Sequence, residues 1–111
     1  MSDDTIEAVR LCFYAHLRAR HDGTLLSEWL LEQAKRRGIG GGSVFRAIAG
    51  FGRHGVLHEE AFFELADNLP VKIEFLLRAE QAQVLLDLVR EARVDIVYAT
   101  STIRLGILGT Q

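Results

Sequence analysis

A chain of 111 residues, 49% hydrophobic and 25% charged, has the composition of one soluble globular domain and excludes disordered classes. Thirteen basic against fifteen acidic residues give a net charge of −2, which argues against general nucleic-acid binding. One cysteine excludes an internal disulfide and a multi-cysteine metal framework, and no apolar run approaches the roughly 20 residues that span a bilayer. The acidic start Met1-Ser2-Asp3-Asp4 lacks an apolar signal core, so the expected compartment is the cytoplasm, without membrane insertion. We expect a single domain over 1–111, with a core at about 6–105, a loop at 53–69 and a short tail at 106–111.

From Ile6 to Ala15, Val9, Leu11 and Phe13 alternate with Arg10, Cys12 and Tyr14, the period of a strand with one buried face. His16 to Gly23 reads as a polar connection, with His16 and His21 in solvent. A helix is expected to start near Thr24, whose hydroxyl could cap it. Leu26, Trp29, Leu30 and Ala34 share one helical face, Glu32 and Arg36 stand four apart, and Gly38 is placed to end the helix as a left-handed cap. A second strand is expected over Ser43–Phe51. Val56 to Asn68 reads as a long connection, and Pro70 opens a third strand with Val71, Ile73, Phe75 and Leu77 on one side. A second helix, about Ala79 to Arg93, would bury Val84, Leu85, Leu88, Val89 and Ala92, and Val94 to Leu105 forms a fourth strand.

The order strand, helix, strand, strand, helix, strand makes an α+β, ferredoxin-like βαββαβ domain: an antiparallel four-stranded sheet with both helices on one face. The other face would carry Ala8, Cys12, Tyr14, Lys72, Glu74 and Leu76. That is apolar for contact with water, which points to burial against further copies of the chain.

The near-neutral total hides an uneven distribution. Up to Gly55 there are eight basic and six acidic residues; after it there are five and nine. Between Glu32 and Glu59 no acidic residue occurs, while Lys35, Arg36, Arg37, Arg46 and Arg53 do, with seven of the ten glycines. Lys35 to Arg37 can complement a helix C-terminus, an explanation that does not extend to Arg46 or Arg53. Gly38-Ile39-Gly40-Gly41-Gly42-Ser43 follows a helix and precedes a strand, the reverse of the order a dinucleotide fingerprint needs, and it lacks the lysine of a P-loop. Cys12 reads as a small buried residue and Trp29 as core. No nucleophile, base and orienting acid stand in a recognisable order, so an enzyme is not expected.

Gly50-Phe51-Gly52-Arg53 gives the pattern a recognisable form. The run from Gly38 through Gly52, with His58 and then Asp67-Asn68-Leu69-Pro70-Val71-Lys72-Ile73-Glu74, resembles the PII-like domain-of-unknown-function family numbered one-ninety. It is also similar to the nitrogen regulatory PII signalling proteins, in which Gly-Phe-Gly-Arg closes the second strand and Leu-Pro precedes Val-Lys-Ile-Glu in the third. The resemblance is clearest from Leu25 to Phe75.

The resemblance implies a homotrimer with a small-molecule site in each intersubunit cleft. It also implies a loop, 53–69, that touches a target protein such as a transporter or an enzyme. An adenine nucleotide is the implied ligand. The positions matching the family's loop base are Gly52, Arg53 and His54, with Gly50 and Gly52 shaping it, and Thr102-Ile103-Arg104-Leu105-Gly106 partly echoes its phosphate-binding arginines, which singles out Arg104. Arg46 joins them as a basic residue on the approach to the loop. Guanidinium forks pair bidentately with phosphate, and glycine admits a close backbone. Two departures stand out. No glycine- and lysine-rich phosphate loop precedes the last strand, and 53–69 contains no tyrosine to modify. A nucleotide held by fewer phosphate contacts, another small anion, and a ligand-free interaction protein are the readings these departures leave. A metal-binding trimer of the copper-tolerance type, using His54, His58 and Glu59, is the alternative.

Overall fold

The computed structural model describes residues 4–51, 57–59 and 69–109, with Phe51 and 57–59 as backbone only. Four strands form the main sheet: β1 (Thr5–His16), β4 (Gly42–Arg46), β7 (Pro70–Leu77) and β8 (Val97–Gly106). Two helices, α1 (Leu26–Arg36) and α2 (Ala79–Glu91), pack on one side. Two short hairpins are added, β2 (Arg20–His21) with β3 (Thr24–Leu25), and β5 (Ala49–Phe51) with β6 (Leu57–Glu59). The sheet order is β4-β7-β1-β8 with every neighbouring pair antiparallel, the arrangement expected of a ferredoxin-like split fold.

The register of β1 on β7 sets the core. Val9 faces Leu77, Leu11 faces Phe75, and Phe13 faces Ile73, so the apolar halves of both alternations turn to the helices together. Leu11, Phe13, Ile73, Phe75, Leu30 and Leu85 are all at most 1% exposed. The rings of Phe13 and Phe75 meet edge to face with centroids 6.3 Å apart. Such a pair contributes about 0.5–1.5 kcal/mol beyond its buried area.

Helix α1 ends as its sequence suggests. Gly38 has φ +76°, the Gly38 amide donates to the Lys35 carbonyl, and the Ile39 amide donates to the Ala34 carbonyl, which closes a Schellman cap. Arg37 donates to the carbonyl and side-chain oxygen of Gln33, and Arg36 Nε stands 3.4 Å from Glu32, so two cations of the basic run are engaged on their own helix. At the start of α1 the expectation fails. Leu25 holds the N-cap position and Thr24 pairs with His21, because Asp22 and Gly23 both take positive φ and fold the chain into a hairpin. That hairpin lays His21 on Trp29, with ring centroids 4.3 Å apart, so His21 is half-buried rather than in solvent.

Further boundaries differ from expectation, among them the start of β8 at Val97 rather than Val94. The strand foreseen over Ser43–Phe51 breaks at Arg46, where the Ala47 amide donates to the Pro70 carbonyl and the chain leaves the sheet before β5. The connection foreseen from Val56 contains β6, paired with β5. Helix α2 stops at Glu91, with Arg93 at φ +58° in a second Schellman cap, and Val84 stays 46% exposed because Ala82, Leu85 and Val89 form its buried stripe.

The glycine run has one position where only glycine fits. A Cβ on Gly42 would stand 2.6 Å from the buried Phe75 ring and 2.9 Å from Leu31. Gly42→Ala is therefore expected to cost about 1–3 kcal/mol through overpacking, read as a lower urea midpoint. Arg93→Gly relieves a left-handed arginine at a helix cap and should raise stability by about 1 kcal/mol in the same denaturation series.

Candidate functional site

The expected ligand-binding residues fall at two places in the chain. Arg46 ends β4, exposed, opposite Val71. Gly50 lies in the β5–β6 ribbon opposite His58, and a Cβ there would stand 3.6 Å from the ring of Pro70. Gly52, Arg53 and His54 lie outside the described residues, as do the side chains of His58 and Glu59 that the metal alternative needs. Among the described residues no three His, Cys, Asp and Glu side chains group as a metal site would require.

Arg104 lies on β8 opposite Glu7, exposed and on the helix-facing side of the sheet. Arg46 shares that side, since it faces Val71. Nothing else about their placement is shared. β4 and β8 are the two opposite edges of the sheet, so three strand spacings, about 14 Å, separate them. Val71 pairs with Ala15 and Arg104 with Glu7, eight residues apart along β1, which adds about 26 Å in the strand direction. Arg46 and Arg104 therefore stand on the order of 30 Å apart, far beyond the reach of one small anion. The β5–β6 ribbon, which carries Gly50, follows β4 and touches the start of β7 at Pro70. One chain holds the two parts of the expected site and does not bring them together.

The face of the sheet away from the helices holds a cluster that the strand alternation hinted at without revealing its geometry. Arg10 Nε and Lys72 Nζ each stand 3.6 Å from the same Glu74 oxygen. The Lys72 ammonium also lies 4.8 Å from the centre of the Phe45 ring. Cys12, opposite Glu74, is 6% exposed with its thiol 3.8 Å from that oxygen. Burial raises the thiol's pKa above the ordinary 9.0, the Glu74 charge adds to this, and Lys72 and Arg10 pull the other way. Around these charges lie Ile6, Tyr14, Phe45, Leu76 and Val97, each between 39% and 49% exposed. This apolar frame is the surface foreseen for burial between copies.

Sequence reasoning also passed over a hollow of about 370 Å³ between α1 and β4, lined by Leu31, Lys35, Ile39, Gly40, Gly41 and Phe75 among others. Apart from Lys35, the side chains that line it are apolar. The run Gly40-Gly41-Gly42 was its signal.

A conserved family of unknown function, DUF190, described as "Uncharacterized ACR", matches residues 8–105. A UPF0166 protein of Aquifex aeolicus is 38% identical over 66 residues, covering 60% of this chain and 63% of the relative. One of Methanocaldococcus jannaschii is 38% identical over 69 residues, covering 62% and 63%. The chain thus spans about 63% of the length of these curated relatives. Among solved structures, CPII of Thiomonas intermedia K12, a nitrogen regulatory PII-like protein bound to ADP, AMP and bicarbonate, is similar with a TM-score of 0.70 at 17% identity, covering 96% of this chain and 94% of that one. The same protein with ADP and bicarbonate gives 0.66 at 19%, covering 96% and 95%. At such identities the likeness establishes the ferredoxin-like PII fold.

The open face yields a chemical expectation. With its thiol buried and its pKa raised, Cys12 should react with a disulfide reagent at pH 8 far more slowly in the folded protein than in urea. The native state favours the protonated thiol, so its contribution to stability falls as pH rises past 9.0, and Cys12→Ala should remove that part of the alkaline decline in urea midpoint.

Proposed function

This chain belongs to the DUF190 family, and from that premise we propose that it is a PII-like regulatory protein rather than an enzyme, binding a small anionic ligand between copies of itself. The observation that carries the reading is the separation of Arg46 and Gly50 from Arg104, at opposite edges and ends of one sheet. A guanidinium exposed at each edge is half a phosphate site, and a second copy supplies the other half. The apolar open face gives the copies a reason to associate, since it leaves five large apolar side chains uncovered in the single chain. A homotrimer is the assembly proposed, as in the PII resemblance.

An adenine nucleotide is the proposed ligand, supported by the structures of a protein of this fold with ADP and AMP. Gly50 and Gly52 would shape the base of the cleft. Arg46, Arg53 and His54 would meet the ligand from one copy and Arg104 from the next. Bicarbonate, present in the same structures, is the second small anion to consider. Ligand binding would favour one arrangement of residues 53–69, and a target protein in the cytoplasm would read that arrangement. Such a switch works to the extent that the ligand binds one arrangement more tightly than the other.

Titration calorimetry with AMP, ADP, ATP and bicarbonate tests the reading. At least one should bind the wild-type oligomer, and Arg104→Ala should weaken binding about tenfold to a hundredfold, the loss of one charge-assisted contact. Arg53→Ala should do the same. Mixed oligomers of the two variants should regain part of the lost binding, since some clefts then receive Arg53 from one copy and Arg104 from the other. Heat from none of the four ligands, with a protein that sediments as an oligomer, overturns the nucleotide reading.

A further inference from the structure

The glycine run between α1 and β4 holds two residues that the fold itself does not require. Gly38 takes positive φ, and Gly42 lies where a Cβ would meet Phe75 and Leu31. Gly40 and Gly41 have neither reason. Neither takes positive φ, and a Cβ on either would find nothing within 4 Å. Glycine loses more conformational freedom on folding than any other residue, and close approach of a ligand to the backbone is a use that offsets this. Both glycines border the hollow of about 370 Å³, a volume in the range of small-molecule pockets. Leu31, Ala34, Ile39 and Phe75 give it apolar walls, and Lys35 brings the one charge. Lys35 differs from its two neighbours in the basic run. Arg36 is paired with Glu32 and Arg37 with Gln33, whereas the Lys35 side chain has no hydrogen bond or ion pair among the described residues. Nor do the last carbonyls of α1 wait for its ammonium. Those of Gln33, Ala34 and Lys35 already accept from the Arg37 guanidinium and from the cap amides.

We propose that this hollow binds a small amphipathic monocarboxylate, its hydrocarbon body against the apolar walls and its carboxylate on the Lys35 ammonium. The wall chemistry selects the body. Leu31, Ala34, Ile39 and Phe75 carry no side-chain donor or acceptor, so a sugar or a base covered there would leave polar groups unpaired. The single ammonium selects the charge. A phosphate or a dicarboxylate would bring a second negative charge against walls that cannot answer it. Lys35 is exposed, so its carboxylate partner stays partly in water and apolar burial drives the binding. Gly40 and Gly41 leave one wall without side chains, which lets the hydrocarbon lie directly on the backbone. Neither Arg46 nor Arg104 lines the hollow, so this site is distinct from the anion site proposed above.

Amide chemical-shift titration of the full chain with sodium octanoate, kept below its micelle concentration, tests this, with octan-1-ol as the uncharged comparison. Octanoate should give saturable shifts at Ile39, Gly40 and Gly41. Lys35→Met should weaken its binding about tenfold, the loss of one charge-assisted contact. Octan-1-ol should bind the wild-type chain about tenfold more weakly than octanoate and should not respond to Lys35→Met. Gly40→Val and Gly41→Val place their side chains in open space, so both should keep the wild-type amide spectrum of the sheet, and at least one should abolish octanoate binding. Absence of saturable shifts at residues 39–41 overturns the site, as does octanoate binding that maps instead to the open sheet face around Tyr14 and Val97. Equal octanoate affinity in the wild-type and Lys35→Met chains overturns the carboxylate assignment. Unchanged binding in both valine variants, with their sheets intact, overturns the part given to the two glycines.

Discussion

The pairing of β1 with β7 is the constraint on which the rest of this domain depends. Eight consecutive residue pairs lock two apolar alternations in phase, so that one face of the sheet is oily and the helices have something to cover. A slip of one residue would turn Leu11, Phe13, Ile73 and Phe75 to the wrong side. Because these two strands take the centre, β4 and β8 are forced to the edges. Arg46 and Arg104 go with them, which sets the two guanidinium groups at opposite margins of one chain.

The same pairing shapes the opposite face. Glu74 sits at 20% side-chain exposure between Arg10 and Lys72, with Cys12 pressed beside it. An isolated carboxylate could not be covered there without a large desolvation cost, whereas one flanked by two cations can approach an apolar partner more readily. Surface ion pairs contribute only about 0–1 kcal/mol each in the free chain. Their larger effect is on what may cover the face: a second copy would have to leave the three charges mutually satisfied. Apolar rim and paired centre together describe a surface suited to association between folded chains rather than to open solvent.

Much of this was legible before any coordinates. Val71, Ile73, Phe75 and Leu77 alternate without interruption, and all four are buried where the period places them. Gly38 ends its helix because a left-handed residue was needed after a basic turn. The readings that failed did so where a distant contact outweighed a local preference. Thr24 is a good capping residue, yet the Asp22-Gly23 turn commits it to a hairpin with His21. The second strand breaks after Arg46 because Pro70, twenty-three residues ahead and next in the ladder opposite Ala47, accepts from the Ala47 amide but has no N–H to return the bond. Val84 sits beside a helical stripe but outside it, since α2 rests on the sheet through Ala82, Leu85 and Val89.

By itself the sequence determined the apolar side of the central strands, the glycine that ends α1, and the order of the main elements from which the fold class follows. These are short-range properties, set by periods of 2 and 3.6 residues and by the backbone freedom of a few glycines. Only the tertiary structure decided which strands lie at the edges and how far apart the basic residues stand. Strand order depends on pairings between residues about sixty and ninety positions apart, as in Leu11 with Phe75 and Thr100, and no local pattern carries that information. A net charge of −2 and a run of basic residues suggested a site. The geometry of one sheet sets Arg46 and Arg104 on its opposite edges.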